Sequence, residues 1–401
     1  MTITELLAII AGRENSGVEF KEDTLRIEDL AKEVVAFANL RGGRILLGVD
    51  DDGGIVGVTR AHLEEWVMTA CRDKIRPEII PYFEMVHEPV ADRDVAVVDV
   101  GPGYTVHALW HNQRRQYYIR VGSECREASP EELARLFQQR GTVRAELMPV
   151  SGSTIDDLDL RRLRDYFGRI RQQELPTDSE GWRHLLVNTE LLTESGDRAP
   201  ATVAGILLFG QAPNRFLPQA GIDAAAYPGD AKEYAVIERA PLRGPMTPLY
   251  GGGRLVENGL VEQALDFVRR TTTPAAVIER GGRRHDRLRF PTEPVREAIV
   301  NALVHRDYLL SGTDVELSIF SDRLDVVSPG RLPNAVTPER MLAGCRAARN
   351  QLLKDAMGDY NYLEHVGMGI PRKVVRGMQK HNGTSPELLA EEERFTLRLF
   401  A

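Results

Sequence analysis

The chain has 401 residues, 42% hydrophobic and 27% charged, with a formal net charge of −8. That length sets an expectation of roughly two to three domains with more than one core, and the composition excludes a disordered or low-complexity protein. The acidic balance excludes binding to nucleic acid through bulk positive charge, so any such contact must come from a local patch.

A capping-box pattern, Thr2-Ile3-Thr4-Glu5, precedes "LLAII" and opens the chain with a helix. The start has no basic stretch leading into a long apolar core, and no run reaches the length of a membrane span, so the sequence reads as cytoplasmic with no membrane partner. "IEDLAKEVVAFANL" sets Leu30, Val34, Phe37 and Ala38 at helical spacing, and Gly42-Gly43 stops that helix. "RILLGV" reads as a buried strand, "DDDGG" as a turn and "IVGV" as the returning strand of a hairpin. "YYIRV" reads as a further strand, and Ser129-Pro130-Glu131-Glu132 caps the helix that closes the first domain. The mixed, polar stretch "GTVRAELMPVSGSTIDDLD" then marks a boundary.

The expected domains are therefore 1–145, a middle section 146–254, and 255–401. In the middle section, "LRRLRDYFGRI" reads as a helix, "AGILLFG" as a strand and "YPGD" as a loop, with no nameable chemistry. The last part alternates helices, "RLVENGLVEQALDFVRR" and "PVREAIVNALVHRDY", with the strand pair in "VELSIFSDRLDVVSPGRL". This suggests an α+β layer sandwich, within a fold class that is mixed α+β overall. The densest basic run, "RGGRRHDRLRF", reads equally as a phosphate contact or a solvated approach to the last domain. Cys71, Cys125 and Cys345 lack paired spacing and read as core thiols.

Candidate chemistry begins in "ENSGVEFKED". On a short strand Glu19 and Lys21 point to one face while Phe20 points into the core. Glu14 and Glu19 offer carboxylates for Mg2+ or Mn2+, Lys21 a cation for a phosphodiester, and Asp51 a third carboxylate at the end of "RILLGV". On spacing alone the plainer reading, a polar loop and a hairpin turn, is the stronger one. Arg114, Arg115, Arg120 and Arg126 lie near Trp110, Tyr117 and Tyr118, the mix of a surface for RNA or DNA, although strand alternation would send some of them away from a common groove. Far along the chain, Glu297 and Asn301 are four apart on one helix face, amid the apolar Ala298, Ile299, Ala302 and Leu303. Glycine-bearing loops follow: "SPGRLP" with Gly330, and "EHVGMGIP" with Gly367 and Gly369.

Three blocks in order, "ENSGVEFKED", "VVAFANLRGGRILLGVDDDGGIVGV" and "YYIRVGSECREASPEEL", resemble the Schlafen-type AlbA domain over nearly all of residues 1 to 140. The resemblance implies an α/β domain. In its nucleolytic members the pattern E-x4-E-x-K and a later aspartate form the active site, which implies Glu14, Glu19 and Asp51 as metal-holding catalytic residues with Lys21 beside them. Bacterial relatives of the domain also include transcriptional regulators.

"REAIVNALVHRDY" and the glycine loops resemble the GHKL-type ATPase domain over about 255–401, in the divergent form joined to Schlafen-AlbA regulators labelled RecG-like. This implies an α/β sandwich that binds ATP, with Glu297 activating water, Asn301 on Mg2+, and Gly330, Gly367 and Gly369 against the nucleotide. "HRDY" (305 to 308) and Arg349-Asn350 match blocks of the same subfamily. The usual D-x-G-x-G loop is replaced by "DVVSPGRL": Asp325 does not keep the spacing of the adenine-binding aspartate, and Ser328 stands nearer its place. Together the resemblances imply an ATP-regulated, metal-dependent nuclease of RNA or DNA. They leave open an ATP-responsive DNA-binding regulator and an ATPase scaffold in anti-phage defence, and they imply a homo-oligomer such as a dimer.

Overall fold

Burial with a period of two builds the first part of the chain. Helix α1 (Ile3–Ala11) is capped as expected, with Thr2 and Glu5 forming both bonds of the capping box. Strand β1 (Val18–Lys21) pairs in parallel with β2 (Gly43–Leu47), placing Glu19 beside Ile45. The crossover that a parallel pair needs is α2 (Ile27–Asn39). Helix α3 (Leu63–Lys74), β3 (Tyr82–Glu88) and β4 (Arg93–Val100) follow, and the sheet order is β1-β2-β4-β3. Phe20, Leu46, Val95 and Val97 pack with Leu6 and Ile10 of α1. Ile45, Leu47, Ala96 and Val98 pack with Leu30, Val34 and Phe37 of α2 and Val67 of α3. Both sheet faces are covered, so Glu19, opposite in sense to Phe20, points toward α2 and is buried.

The described residues are 1–401 without 141–142, 195–198, 273–274, 279–283, 333–335, 345–346, 364–367 and 392, with backbone alone for 275–278 and 284–287, in this computed structural model. The chain divides into two units, Met1–Val143 and Arg144–Ala401. No helix among the described residues is long and apolar enough to cross a membrane.

The expected hairpin of "RILLGV" and "IVGV" does not form. Both edges of β2 are taken, by β1 and β4, leaving no edge for a returning strand. Gly48, at φ +98°, turns the chain out, and its carbonyl accepts from the N–H groups of both Val56 and Gly57. "IVGV" keeps a single bridge, Ile55 to Val49, and Val58 donates to the Asp94 carbonyl. The first unit closes with the hairpin β5 (Tyr118–Val121) and β6 (Glu124–Glu127) and with α4 (Pro130–Gln139), capped by Ser129.

In the second unit "AGILLFG" is a helix, Val203–Phe209, and not a strand. Its apolar residues are buried on every side, which removes the periodicity that separates a buried strand from a buried helix. Thr202 fixes the outcome by accepting from the Gly205 N–H. A six-stranded sheet forms the body of the unit. Its strands are β7 (Gly221–Ala226), β8 (Glu238–Arg243), β9 (Val315–Ile319), β10 (Arg323–Pro329), β11 (Glu387–Ala390) and β12 (Arg394–Phe400), in the order β8-β7-β9-β10-β12-β11. The pair β7–β9 is parallel, with Ile222 beside Val315. Residue 254, the expected boundary, thus lies inside a unit whose sheet draws strands from both sides of it. Helices α5 (Leu260–Thr271) and α6 (Thr292–His305) pack Leu265, Val268, Ile299 and Leu303 into the same core as Leu317, Val326 and Leu397. Helix α7 (Gln351–Asp359) and a π-helical turn, Gly369–Val375, complete the surroundings of α6.

Candidate functional site

Two places gather the residues singled out in the sequence, one in each unit. In the first unit, β1 places Glu19 and Lys21 on one face as the alternation predicts, and the Lys21 ammonium donates to Glu19 Oε1. Helix α2 brings Glu33 to the same spot. Its signal was present in the sequence, an acid between Leu30 and Phe37 on the apolar stripe. The fourth member is Arg120 of β5, whose side chain is 1% exposed. Its Nη2 lies 2.7 Å from Glu19 Oε2 and its Nη1 donates to Glu33 Oε2 over 3.0 Å. Nη2 also donates to the carbonyls of Asn15 (3.0 Å) and Ser123 (2.9 Å). The guanidinium sits 4.4 Å above the centre of the Phe37 ring.

Burial by itself would lower the Lys21 pKa, but the hydrogen bond to Glu19 and the charges of Glu19, Glu33 and Glu14 raise it above the ordinary lysine value. Burial and the neighbouring Glu19 charge raise Glu33 against the opposing pull of Arg120. Arg120 is therefore an internal cation and not part of a nucleic-acid surface. Arg114 and Arg115 are exposed on the strand Arg114–Gln116, and the exposed Arg126 is held by Glu132 at 2.6 Å.

Glu14, Glu19 and Asp51 do not fit one divalent cation. Both Glu19 oxygens face cationic side chains, and Glu14 Oε1 accepts the Phe20 N–H over 2.8 Å. Asp51 is exposed in the turn that follows β2, where its neighbour Asp50 accepts from Gly54. Among the described residues no group of three or more His, Cys, Asp or Glu is placed to hold a metal.

In the second unit α6 presents Glu297 and Asn301 to a cleft, as their spacing predicts. The cleft is lined by those two residues together with His305, Ser328, Gly330 and Gly369, and by apolar walls that include Val326, Ile370 and Leu397. Asn301 Nδ2 donates to the Glu297 carbonyl (2.7 Å) and to Glu297 Oε1 (3.0 Å), so its side-chain oxygen is the atom it has to offer a cation. Glu297 is 2% exposed, and Lys373, four residues after Gly369, stands 3.5 Å from its Oε2. Sequence reasoning passed over Lys373.

Ser328 Oγ donates to the Ala302 carbonyl over 2.9 Å, which leaves it a lone pair for a ligand. Asp325, three residues earlier on β10, faces the other way and is held by Arg398 at 2.9 Å. It does not line the cleft, whereas Ser328 does. Burial, with the charges of Lys354 and Arg349, pushes the His305 imidazole down to about 4.

"HRDY" and Arg349-Asn350 meet beside the cleft. Arg349 Nη1 is 2.9 Å from Asp307 Oδ2, both side chains being buried, and Asn350 Nδ2 donates to the carbonyls of Val304 (2.8 Å) and Arg306 (2.9 Å). Gly330, at φ +103°, lies against this pair: a Cβ there would come 2.5 Å from Asp307 Cβ and 2.6 Å from Arg349 Nη1. The cleft residues fit a nucleotide, with glycine backbone on one side, an apolar wall for a base, and amide, hydroxyl and carboxylate groups between.

Some expectations fall elsewhere. Gly367 and Cys345 lie outside the described residues, as do Arg280 and Arg283 and the side chains of Arg284 and Arg287 in the basic run. Arg289, the last of that run, donates to the Phe320 carbonyl over 2.7 Å. Burial pushes the Cys71 thiol up to about 12, and burial with the Glu33 charge does the same for Cys125.

Comparison with known proteins gives two family matches. Residues 14–129 match the family model described as "Schlafen, AlbA_2". Residues 312–399 match the one described as "Putative ATP-dependent DNA helicase recG C-terminal". No curated protein matches the chain. Among solved structures, the DIP2311 protein from Corynebacterium diphtheriae is 22% identical with a TM-score of 0.47, over 100% of this chain and 80% of that one.

Proposed function

We propose, from a chain that carries a Schlafen AlbA_2 domain at 14–129 and a RecG C-terminal-like domain at 312–399, that this protein is an ATP-responsive regulator. It binds RNA or DNA through its first unit and ATP in the cleft of α6, β10 and β12. The observation that carries the reading is the convergence of Glu297, Asn301, Ser328, Gly330 and Gly369 on one cleft with an apolar wall. Val326 and Leu397 would offer a base its apolar wall, and Ser328 Oγ, with a lone pair left, would offer an acceptor to the exocyclic amino group. The Asn301 side-chain oxygen would hold the Mg2+ that accompanies the phosphates. Glu297 is the carboxylate next to it, the group that a water molecule would need for hydrolysis.

For the first unit, binding is favoured over cutting because Glu19 is already paired with Arg120 and Lys21. Exposed Arg114 and Arg115 supply the cations for the phosphate backbone. The test combines two measurements on the full chain: ATP affinity of wild type and Asn301→Ala, and retention of labelled tRNA, single-stranded and duplex DNA with Mn2+ present. Wild-type ATP binding weakened by Asn301→Ala, with nucleic acid bound and left intact, is the expected result. Cleavage that Glu19→Gln abolishes would replace the regulator by a nuclease, and ATP binding indifferent to Asn301→Ala would remove the cleft from the account.

A further inference from the structure

Glu19 and Glu33 are two carboxylates brought together from β1 and α2, each no more than 8% exposed at the side chain. Such a pair, buried and uncompensated, is the kind of place that draws a divalent cation. Here the charge is met from within the chain. Arg120 touches one oxygen of each carboxylate, at 2.7 and 3.0 Å, and Lys21 takes the other Glu19 oxygen. Two carboxylates and two cations sum to zero before any ion arrives.

Arg120 is also fixed. Its Nη2 reaches the Asn15 and Ser123 carbonyls, its plane lies over Phe37, and β5 carries it opposite Cys125 in a two-stranded ribbon. A planar guanidinium held by five such neighbours does not swing aside to admit an ion. A divalent cation at the Glu19 carboxylate would stand within a few ångströms of two positive side chains at low exposure, where like charges repel strongly.

We infer that Arg120 is the resident cation of the Glu19–Glu33 pair, so that the AlbA_2 domain engages the phosphate backbone of RNA or DNA without a divalent metal at this pair. The inference rests on the proposed nucleic-acid reading for its ligand, but its central claim concerns the metal and is measured separately. Glu19 then acts as the anchor that ties β1 to the β5–β6 hairpin.

The experiment uses the full chain without nucleotide and Mn2+ alone as the probe, followed by calorimetry and electron paramagnetic resonance. Wild type, Glu19→Gln and Glu33→Gln are expected to give the same Mn2+ isotherm, within about twofold in affinity. Arg120→Met is expected to gain a Mn2+ site at least about tenfold tighter than any in wild type, and the double variant Arg120→Met/Glu19→Gln to lose it again. A wild-type Mn2+ site removed by either glutamine variant, with a native circular dichroism spectrum, overturns the inference. So does a folded Arg120→Met protein that takes up no Mn2+. Nucleic-acid binding is measured in parallel with a chelator present. Binding that requires Mn2+ in wild type counts against the inference, whereas failure to bind any nucleic acid strikes the functional reading and leaves the Mn2+ result standing.

Discussion

Glu297 and Gly369 approach so closely that a methyl group on residue 369 would overlap Glu297 Oε1. The π-helical turn that carries Gly369 therefore holds the buried carboxylate of α6 in place, and Lys373 of the same turn faces its other oxygen at 3.5 Å. Gly369→Ala must displace either the turn or Glu297. ATP affinity should fall by about tenfold or more while the helical content is kept, checked by equilibrium binding beside circular dichroism.

Ser328 and Asp325 make opposite predictions from the same strand. Ser328→Ala removes the acceptor from the cleft and should weaken ATP binding by about 1 kcal/mol, the scale of one hydrogen bond. Asp325→Asn loosens the contact with Arg398 and should leave ATP affinity within about twofold. Calorimetric titration of both variants separates the two.

Arg120→Met strips the cation from two buried carboxylates. Breaking a buried ion pair from one side costs about 3–5 kcal/mol, so the urea midpoint of the first unit's transition should drop, with partial recovery when Glu33→Gln removes one of the stranded charges. Unchanged stability in Arg120→Met would deny that the cluster holds the hairpin.

His305 supplies a pH dependence. Its folded pKa is pushed down to about 4 by burial and by Lys354 and Arg349, below the about 6.5 of an exposed imidazole. The unfolded chain therefore binds the extra proton first as pH falls. Its stabilising contribution is whole above about 6.5, declines between there and 4, and is lost below, with a slope of at most about 1.4 kcal/mol per pH unit. Urea titrations of wild type and His305→Asn between pH 7 and pH 4 measure the difference.

Local rules made much of this legible. Thr2, Ser129 and the glycines at 42 and 43 marked helix ends, and the i,i+4 spacing of Glu297 and Asn301 placed both in one cleft. What stayed hidden depends on partners distant in the chain. Glu19 looked like a metal ligand because Arg120, 101 positions later, and Glu33 on another element could not be set beside it from spacing. "IVGV" failed as a strand because β4, formed by residues after it, already occupied the edge it needed. "AGILLFG" carried no periodicity at all, and its cap at Thr202 was the one readable sign.

The parallel pairing of β7 with β9 has an evolutionary consequence. A fragment that began at residue 255 would carry β9 with one edge bare and without Ala224 and Ala226 of its core, an invitation to misassemble with other copies. The 312–399 segment that the family match covers is therefore not a free-standing cassette. Gene fusions that shuffle this cleft between architectures should be found to cut near residue 144, carrying the whole second unit as a single heritable piece.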